Sequence, residues 1–221
     1  MKRNIRSVVW AVVLVGLLGV STAAQAAALP PGSVDVSVTN LATFTGTLVS
    51  DTGNLSYAIG PSNTGTVREW VVSNASSALC AGCLSFVYQF QVSAGSIGRL
   101  AGSSYDSFTV DVAHFGSAVP ALTGSLAGTF GANNADRDVS GNTIDFDFTS
   151  AVTATFSSFL LIANTNATAS QAGTISLATP AGAFSNLTGF APGQATGVPE
   201  PATALLLGSS LVALFVWRRR S

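Results

Sequence analysis

The chain has 221 residues, of which 48% are hydrophobic and 9% are charged, whereas a typical soluble domain is about 25% charged. Its formal net charge of -1 hides an uneven distribution, because basic residues cluster at both ends. Between Ala27 and Val198, three arginines against nine carboxylates leave a formal charge of -6, which disfavours nucleic-acid binding because no basic stripe can neutralise phosphates.

The N-terminal segment has the three parts of a secretory signal peptide. Basic residues precede an apolar run over 8–20, and small residues ending in Ala24-Gln25-Ala26 follow it. The run is too short to cross a bilayer comfortably. We therefore predict a signal peptide over 1–26 that signal peptidase removes between Ala26 and Ala27. A cut after Ala28 is a second candidate, and a retained anchor is the alternative.

Residues 27–179 alternate apolar and polar side chains with the period of two that is typical of half-buried β-strands. The clearest case is Cys83 to Val92, where Leu84, Phe86, Tyr88, Phe90 and Val92 share one face and Val87 is the exception. Clusters of Gly, Asn, Ser and Asp separate such segments, as in a sandwich. We predict a mostly β, antiparallel β-sandwich-like exported domain. Its predicted strands are 34–39, 42–49, 66–72, 83–92, 108–114, 144–149, 152–163 and 174–178.

After Thr179 the alternation dissolves into segments rich in Pro, Gly and Ala. This composition is typical of a flexible spacer. We predict a linker over 180–197, although Phe184, Leu187 and Phe190 are compatible with a last strand.

The two cysteines, Cys80 and Cys83, are separated by two residues. In an exported protein a disulfide is the expected state. Because the closed loop is short, its predicted role is to shape the turn before the following strand. A redox role is the alternative, but no helix start is visible that would lower a thiol pKa. An internal Cys2His2 zinc site is excluded because His114 is the sole histidine.

The segment after Ala135 carries oxygen donors at the spacing of a calcium-binding loop. The candidate calcium ligands are Asp136, Asp138, Ser140, Asn142 and Asp147. No helices are evident on either side, so an acidic hairpin loop is the favoured interpretation. Apart from this possible calcium ion, the sequence predicts no cofactor.

Catalytic motifs are scarce. Asp145 and Asp147 would point the same way on a strand and could in principle flank a glycosidic bond, but a charged outward face explains them more simply. Arg68, Glu69 and Trp70 could contact sugar, although we expect a buried Trp70 flanked by surface charges. No catalytic residue is predicted.

The C-terminal segment begins with Val198-Pro199-Glu200-Pro201, continues with an apolar run over 202–217 and ends in the arginines Arg218, Arg219 and Arg220. As a helix the run would be about 24 Å long, slightly short of the roughly 30 Å hydrocarbon core. Snorkelling arginines can make up the difference. The arginine cluster should stay cytoplasmic, and the prolines leave Glu200 extended and accessible outside the membrane.

In this order, the tripeptide Pro199-Glu200-Pro201, the apolar run and the arginines resemble the sorting signal of PEP-CTERM proteins. The resemblance covers 198–221. It implies recognition by a membrane-embedded exosortase and removal of the tail. It also implies release or attachment at the surface of a Gram-negative bacterium that makes extracellular polysaccharide. A membrane anchor that is never cut is the alternative.

These observations together predict a non-enzymatic protein of the cell surface or extracellular matrix, structural or adhesive within a biofilm or floc. Its expected partners are signal peptidase and exosortase during export, the inner membrane transiently, and extracellular polysaccharide. A module that binds polysaccharide or calcium is the first alternative. An enzyme acting on the polymer is the second.

Overall fold

The computed structural model describes residues 25–194, which form fourteen β-strands in two sheets. The first seven strands are β1 Ala27–Ala28, β2 Val36–Ser37, β3 Thr39–Asn40, β4 Thr47–Asp51, β5 Leu55–Ile59, β6 Asn63–Ser73 and β7 Leu84–Ala94. The others are β8 Ser96–Gly102, β9 Val110–Phe115, β10 Asn134–Arg137, β11 Ile144–Thr153, β12 Leu160–Thr165, β13 Ala169–Ala178 and β14 Phe184–Gly193. In this part of the chain, no helix has the length and apolar character needed to span a membrane.

The first sheet has the strand order β1-β9-β12-β7-β6-β4, with β3 also paired to β9 and β5 to β6. The second sheet has the order β14-β13-β8-β11-β10-β2. The pairing of β3 with β9 is parallel, and the other strand pairs are antiparallel. The prediction of a mostly β, antiparallel domain is confirmed.

The main core lies between the two sheets. From the first sheet, Phe86 and Tyr88 of β7 are fully buried, and they belong to the same cluster as Leu100 of β8, Phe146 of β11 and Ile175 of β13. Along β7, the side chains that enter this core stand at every second position, as the alternation in the sequence predicted. Burial of such apolar area between two sheets is the main stabilising contribution in a sandwich.

A second apolar cluster covers the other face of the first sheet. Val87 and Trp70 point into it, together with Leu122 and Phe44 from the connecting segments. The central strands of this sheet are therefore buried on both faces, and the predicted apolar run over 152–163 divides between the end of β11 and the start of β12. Val87 departs from the alternation because both faces of β7 need apolar side chains.

The predicted linker over 180–197 is wrong for most of its length. Strand β14 pairs with β13 at ten consecutive positions, from Phe184 opposite Ala178 to Gly193 opposite Ala169. Its last residues are buried against the first sheet. Small residues that resemble a spacer in the sequence are needed here, because a Cβ on Gly189 would lie 2.3 Å from Oε2 of Glu69. The domain boundary therefore moves to about residue 194.

Candidate functional site

A groove of about 650 Å³ opens on the outer face of the second sheet, lined by residues of β8, β11, β13 and the turn before β14. It lies where β11 bulges away from β8. Arg99 pairs with Asp147 and Ile97 pairs with Val152, so four residues of β11 lie against Gly98 alone. Such a bulge bends the strand and redirects its side chains. Small residues along the groove leave space that larger side chains would fill, namely Gly98, Ala101, Ala151 and Ala178.

Arg99 and two carboxylates form the charged part of the groove. The Nε of Arg99 donates a hydrogen bond to Oδ1 of Asp147 at 2.6 Å, and its Nη1 lies 3.9 Å from Oδ2 of Asp145. Asp136 is directly opposite Asp145 on β10. One guanidinium thus faces three carboxylates, and the groove carries a net negative charge.

The pKa values of the carboxylates reflect this crowding. Burial raises the pKa of Asp145 to about 6; Arg99 opposes the rise, and the charges of Asp147 and Asp136 add to it. Burial also raises the pKa of Asp147, against the effect of its hydrogen bond with Arg99. The groove therefore gains a proton on Asp145 near pH 6 and becomes less negative in mild acid.

Phe184 extends the groove into a row across four strands. The register aligns Phe184 with Ala178, Ala178 with Arg99, and Arg99 with Asp147. The side chain of Phe184 is 65% exposed. An aromatic ring, a guanidinium and carboxylates therefore follow one another along a line. Such a row offers hydrogen-bond donors and acceptors beside an apolar ring face.

The geometry gives no support to glycoside hydrolysis by Asp145 and Asp147. They are two residues apart on β11 and lie on one side of the sheet. A glycosidase needs its two carboxyl groups on either side of the scissile bond. Here both carboxylates lie beside the same guanidinium, which fits a charged binding surface.

The five candidate calcium ligands lie in and beside a hairpin, where their described contacts are with other protein groups, and calcium binding itself stays a prediction. Strands β10 and β11 form the hairpin. At its tip, Asp138 accepts hydrogen bonds from the hydroxyl of Ser140 and the amide of Thr143. The same Ser140 hydroxyl accepts from the amide of Asn142. These donors and acceptors stabilise the turn.

The two outer candidate ligands also have other partners. Asp136 accepts a hydrogen bond from the amide of Asp35 at 2.6 Å, and Asp147 binds Arg99 as described. Within residues 25–194, no group of three or more His, Cys, Asp or Glu side chains is arranged to hold a metal ion.

Cys80 and Cys83 are joined by a disulfide in the turn that precedes β7. Cys83 is fully buried, and its amide donates a hydrogen bond to the carbonyl of Cys80 at 3.2 Å. Gly82 adopts a φ of 76°, a left-handed conformation that glycine adopts without strain. The bond thus closes a tight turn at the start of the largely buried strand β7.

Glu69 lies in the interior, which corrects its assignment to the surface beside Trp70. Its side chain is fully buried between the sheets, and its Oε2 accepts a hydrogen bond from the amide of Phe190 on β14 at 2.6 Å. Burial raises the pKa of Glu69 to about 8. The sequence contained a signal for this position, because Glu69 shares the strand face of Val67 and Val71. Trp70 is buried, as expected, and Arg68 pairs with Asp51.

Arg137 is a second buried charge that the sequence analysis missed. It is 2% exposed and donates to four backbone carbonyls, those of Leu29, Tyr105, Phe108 and Gly141. Its guanidinium therefore ties the hairpin to the N-terminal segment. This arrangement engages four of its five N–H donors within the protein.

The predicted cleavage site lies at the edge of the folded domain. Ala26 and Ala27 are described, whereas Ala24 lies outside residues 25–194. Ala27 begins β1 and pairs with Val112, and Ala28 pairs with Asp111. The predicted helix over 202–217 and the sorting and arginine residues also lie outside the described residues.

Comparison with known families bears on that C-terminal segment. The PEP-CTERM protein-sorting motif matches residues 197–220. No curated protein and no solved structure matches the chain. The match includes the predicted motif Val198-Pro199-Glu200-Pro201 and the apolar run. The chain is therefore identified at its C-terminal end as one that carries the PEP-CTERM protein-sorting motif.

Proposed function

We propose that this protein is a non-enzymatic component of the cell surface or extracellular matrix of a Gram-negative bacterium, structural or adhesive in the exopolysaccharide of a biofilm or floc. The sorting motif is the observation that carries the proposal. It implies export and membrane-associated sorting toward the surface. Strand β14 ends at Gly193, and three residues separate it from the motif, which starts at 197. Removal of the tail would therefore leave the whole domain intact.

Mass spectrometry of the protein from fractionated host cells tests the sorting step. We expect a mature chain that ends near Pro199 to Pro201 and is found outside the inner membrane. Replacement of Glu200 by Ala should leave the precursor uncut, whereas replacement of exposed Val139 by Ala should leave processing unchanged. An inner-membrane chain that still carries Trp217 and the terminal arginines would leave a plain membrane anchor as the explanation.

The matrix role is tested separately in cells that lack the gene. We expect them to form a biofilm or floc with less retained polymer, and we expect the wild-type gene to restore it. Restoration by the Glu200→Ala variant to the wild-type level would show that surface delivery is unnecessary, which would contradict the proposal.

Polysaccharide binding by the groove is the second candidate function. The row of Phe184, Arg99 and Asp147 supports it, because carboxylate and guanidinium groups hydrogen-bond hydroxyls and an exposed ring packs against an apolar sugar face. Since the groove is negatively charged, neutral or cationic polymers are favoured over anionic ones.

Calorimetric titration with purified host exopolymer tests this binding. Phe184→Ala and Asp147→Asn should each weaken binding about tenfold or more, equivalent to about 1.4 kcal/mol. Phe156→Ala is the matched control, because Phe156 is also an exposed phenylalanine, 40% accessible, and does not line the groove. Equal affinities for Phe184→Ala and Phe156→Ala would remove the groove as the binding site.

A further inference from the structure

Among the residues that the structure describes, Asp111 has no counter-charge. Its carboxylate makes no hydrogen bond or ion pair within residues 25–194, and burial raises its pKa. Residues 25–194 contain three arginines and no lysine. The arginines bind elsewhere: Arg68 to Asp51, Arg99 to Asp145 and Asp147, and Arg137 to carbonyls. No described side chain can therefore neutralise Asp111.

The described residues that line a cavity with Asp111 include no other ionisable side chain. Asp111 lines a cavity of about 420 Å³ with Gln25, Ala26, and parts of segments 41–43 and 76–79, which carry no acidic or basic side chains. Asn164 is directly opposite on β12. His114, three residues along β9, projects to the opposite face.

The chain itself passes beside Asp111 at the predicted cleavage point. Ala28 is directly opposite Asp111, and directly opposed Cα atoms in antiparallel strands are about 4.5 to 5.5 Å apart. The amide nitrogen of Ala27 lies one residue further along β1. Ala26 lines the same cavity as Asp111.

We propose that the precursor is cut between Ala26 and Ala27 and that the α-ammonium group of Ala27 then forms an ion pair with Asp111. Hydrolysis adds one water to the Ala26–Ala27 peptide bond. The departing peptide keeps the carboxylate and Ala27 gains the ammonium group. The ion pair fixes β1 to β9 in the mature domain and is absent from the precursor, where the same nitrogen is an uncharged amide. The inference rests on the proposed export.

Cleavage two residues later would be unfavourable. It would remove both residues of β1 and place the ammonium on Leu29, whose side chain is fully buried. The amide of Leu29 donates to the carbonyl of Val110 at 2.8 Å, and its own carbonyl accepts from Nη1 of Arg137 at 3.0 Å. A second cation at this buried position would lie close to the guanidinium and carries a desolvation cost.

The test uses full-length precursors exported by a host cell, with three variants besides the wild type. These are Asp111→Asn, an insertion of Gly-Ser between Ala26 and Ala27, and the combination of both. The insertion leaves Asp111 in place but moves the α-amine away from it. Intact mass gives each mature N-terminus. Because Lys2 is the sole lysine of the chain, the α-amine is the only amine of the mature protein that an acylating reagent can modify.

In the wild type we expect a mature chain that starts at Ala27 and whose α-amine has a pKa above the usual value of about 7.7 to 8.0. A rise of one unit makes acylation at pH 7 about tenfold slower than in Asp111→Asn or the insertion variant. In urea all four proteins should react alike. The acylation rate of the double variant should equal that of either single variant, since both changes remove the same interaction.

Equal acylation rates in the folded wild type and the folded insertion variant would overturn the ion pair while leaving export intact. The insertion variant keeps Asp111, so this comparison stands even if Asp111→Asn fails to fold. A mature chain that starts at Leu29 would overturn the cleavage point. A retained N-terminus on a chain found in the cytoplasm would instead overturn the proposed export.

Discussion

At the residue scale, Glu69 is the most unusual side chain in the core. Its Oε1 has no hydrogen-bond partner, while Oε2 accepts from the amide of Phe190. Tyr88, which hydrogen-bonds to Tyr105, also faces this carboxyl. A buried carboxyl group in apolar surroundings favours its neutral form, because ionisation would place a charge where solvation is poor.

This environment predicts a pH-dependent stability. The folded pKa of Glu69, about 8, lies above the unfolded value of about 4.3. Its contribution is therefore fully present below pH 4 and is lost as the pH rises toward 8. Denaturant unfolding of Glu69→Gln should show a shallower fall in unfolding free energy over this window, by on the order of 5 kcal/mol. The control variant Asp35→Asn changes an exposed position and should show the same decrease of unfolding free energy with pH as the wild type. If both variants showed the same decrease, burial of Glu69 would not be its cause.

At the scale of elements, turns and bulges determine which side chains each strand exposes and how neighbouring strands are connected. The bulge in β11 opens the groove, and the disulfide closes the turn before β7. The first feature creates a surface for binding. The second limits the conformations of a connection that leads into the central strand.

The disulfide should contribute modestly to stability. A closed loop of about four residues restricts the unfolded chain by about 2 kcal/mol in the loop-entropy model. The double replacement Cys80→Ala and Cys83→Ala should therefore lower the unfolding free energy in guanidinium by about 2 kcal/mol and leave the β-sheet circular dichroism unchanged. The wild type with reductant should match the double variant. A collapse of the fold on reduction would show that the bond does more than shape one turn.

At the scale of the whole molecule, β14 connects the folded domain to the sorting segment. It forms an edge of the second sheet, and its C-terminal half is buried against the first sheet. Glu69 contributes to this contact through Phe190. The part of the chain available as a spacer before the motif is therefore short, and the domain lies close to the point of processing.

Truncation distinguishes a spacer from a strand. A chain that ends at residue 194 should unfold cooperatively, because it keeps all fourteen described strands. A chain that ends at residue 179 loses β14, exposes Ile175 and Leu177 on β13, and should lose cooperative thermal unfolding measured by circular dichroism. Similar melting temperatures for the two chains would restore the linker originally predicted over 180–197.

Much of the fold followed from local pattern. Period-two alternation located β7, β9 and β11, because each strand places one face in the core. Strands β1, β5, β8, β10 and β14 lie outside the predicted strands. Glycines and small residues obscure the alternation in β8 and β14, and β1, β5 and β10 are short. The charged residues of the groove could be predicted only in part. The sequence places Asp145 and Asp147 on one face of a strand, but their neighbours Arg99 and Phe184 come from strands that are distant in the chain.

The sequence by itself determined the sorting motif, the β class and the strong acidity of the exported domain. Motif and composition are local or additive properties, so they need no knowledge of strand pairing. The tertiary structure decided which residues meet: it buried Glu69, incorporated β14 into the sheet and aligned Phe184 with Arg99. Register and sheet packing join residues that are far apart in the chain, and a one-residue change of register would reverse the faces they occupy.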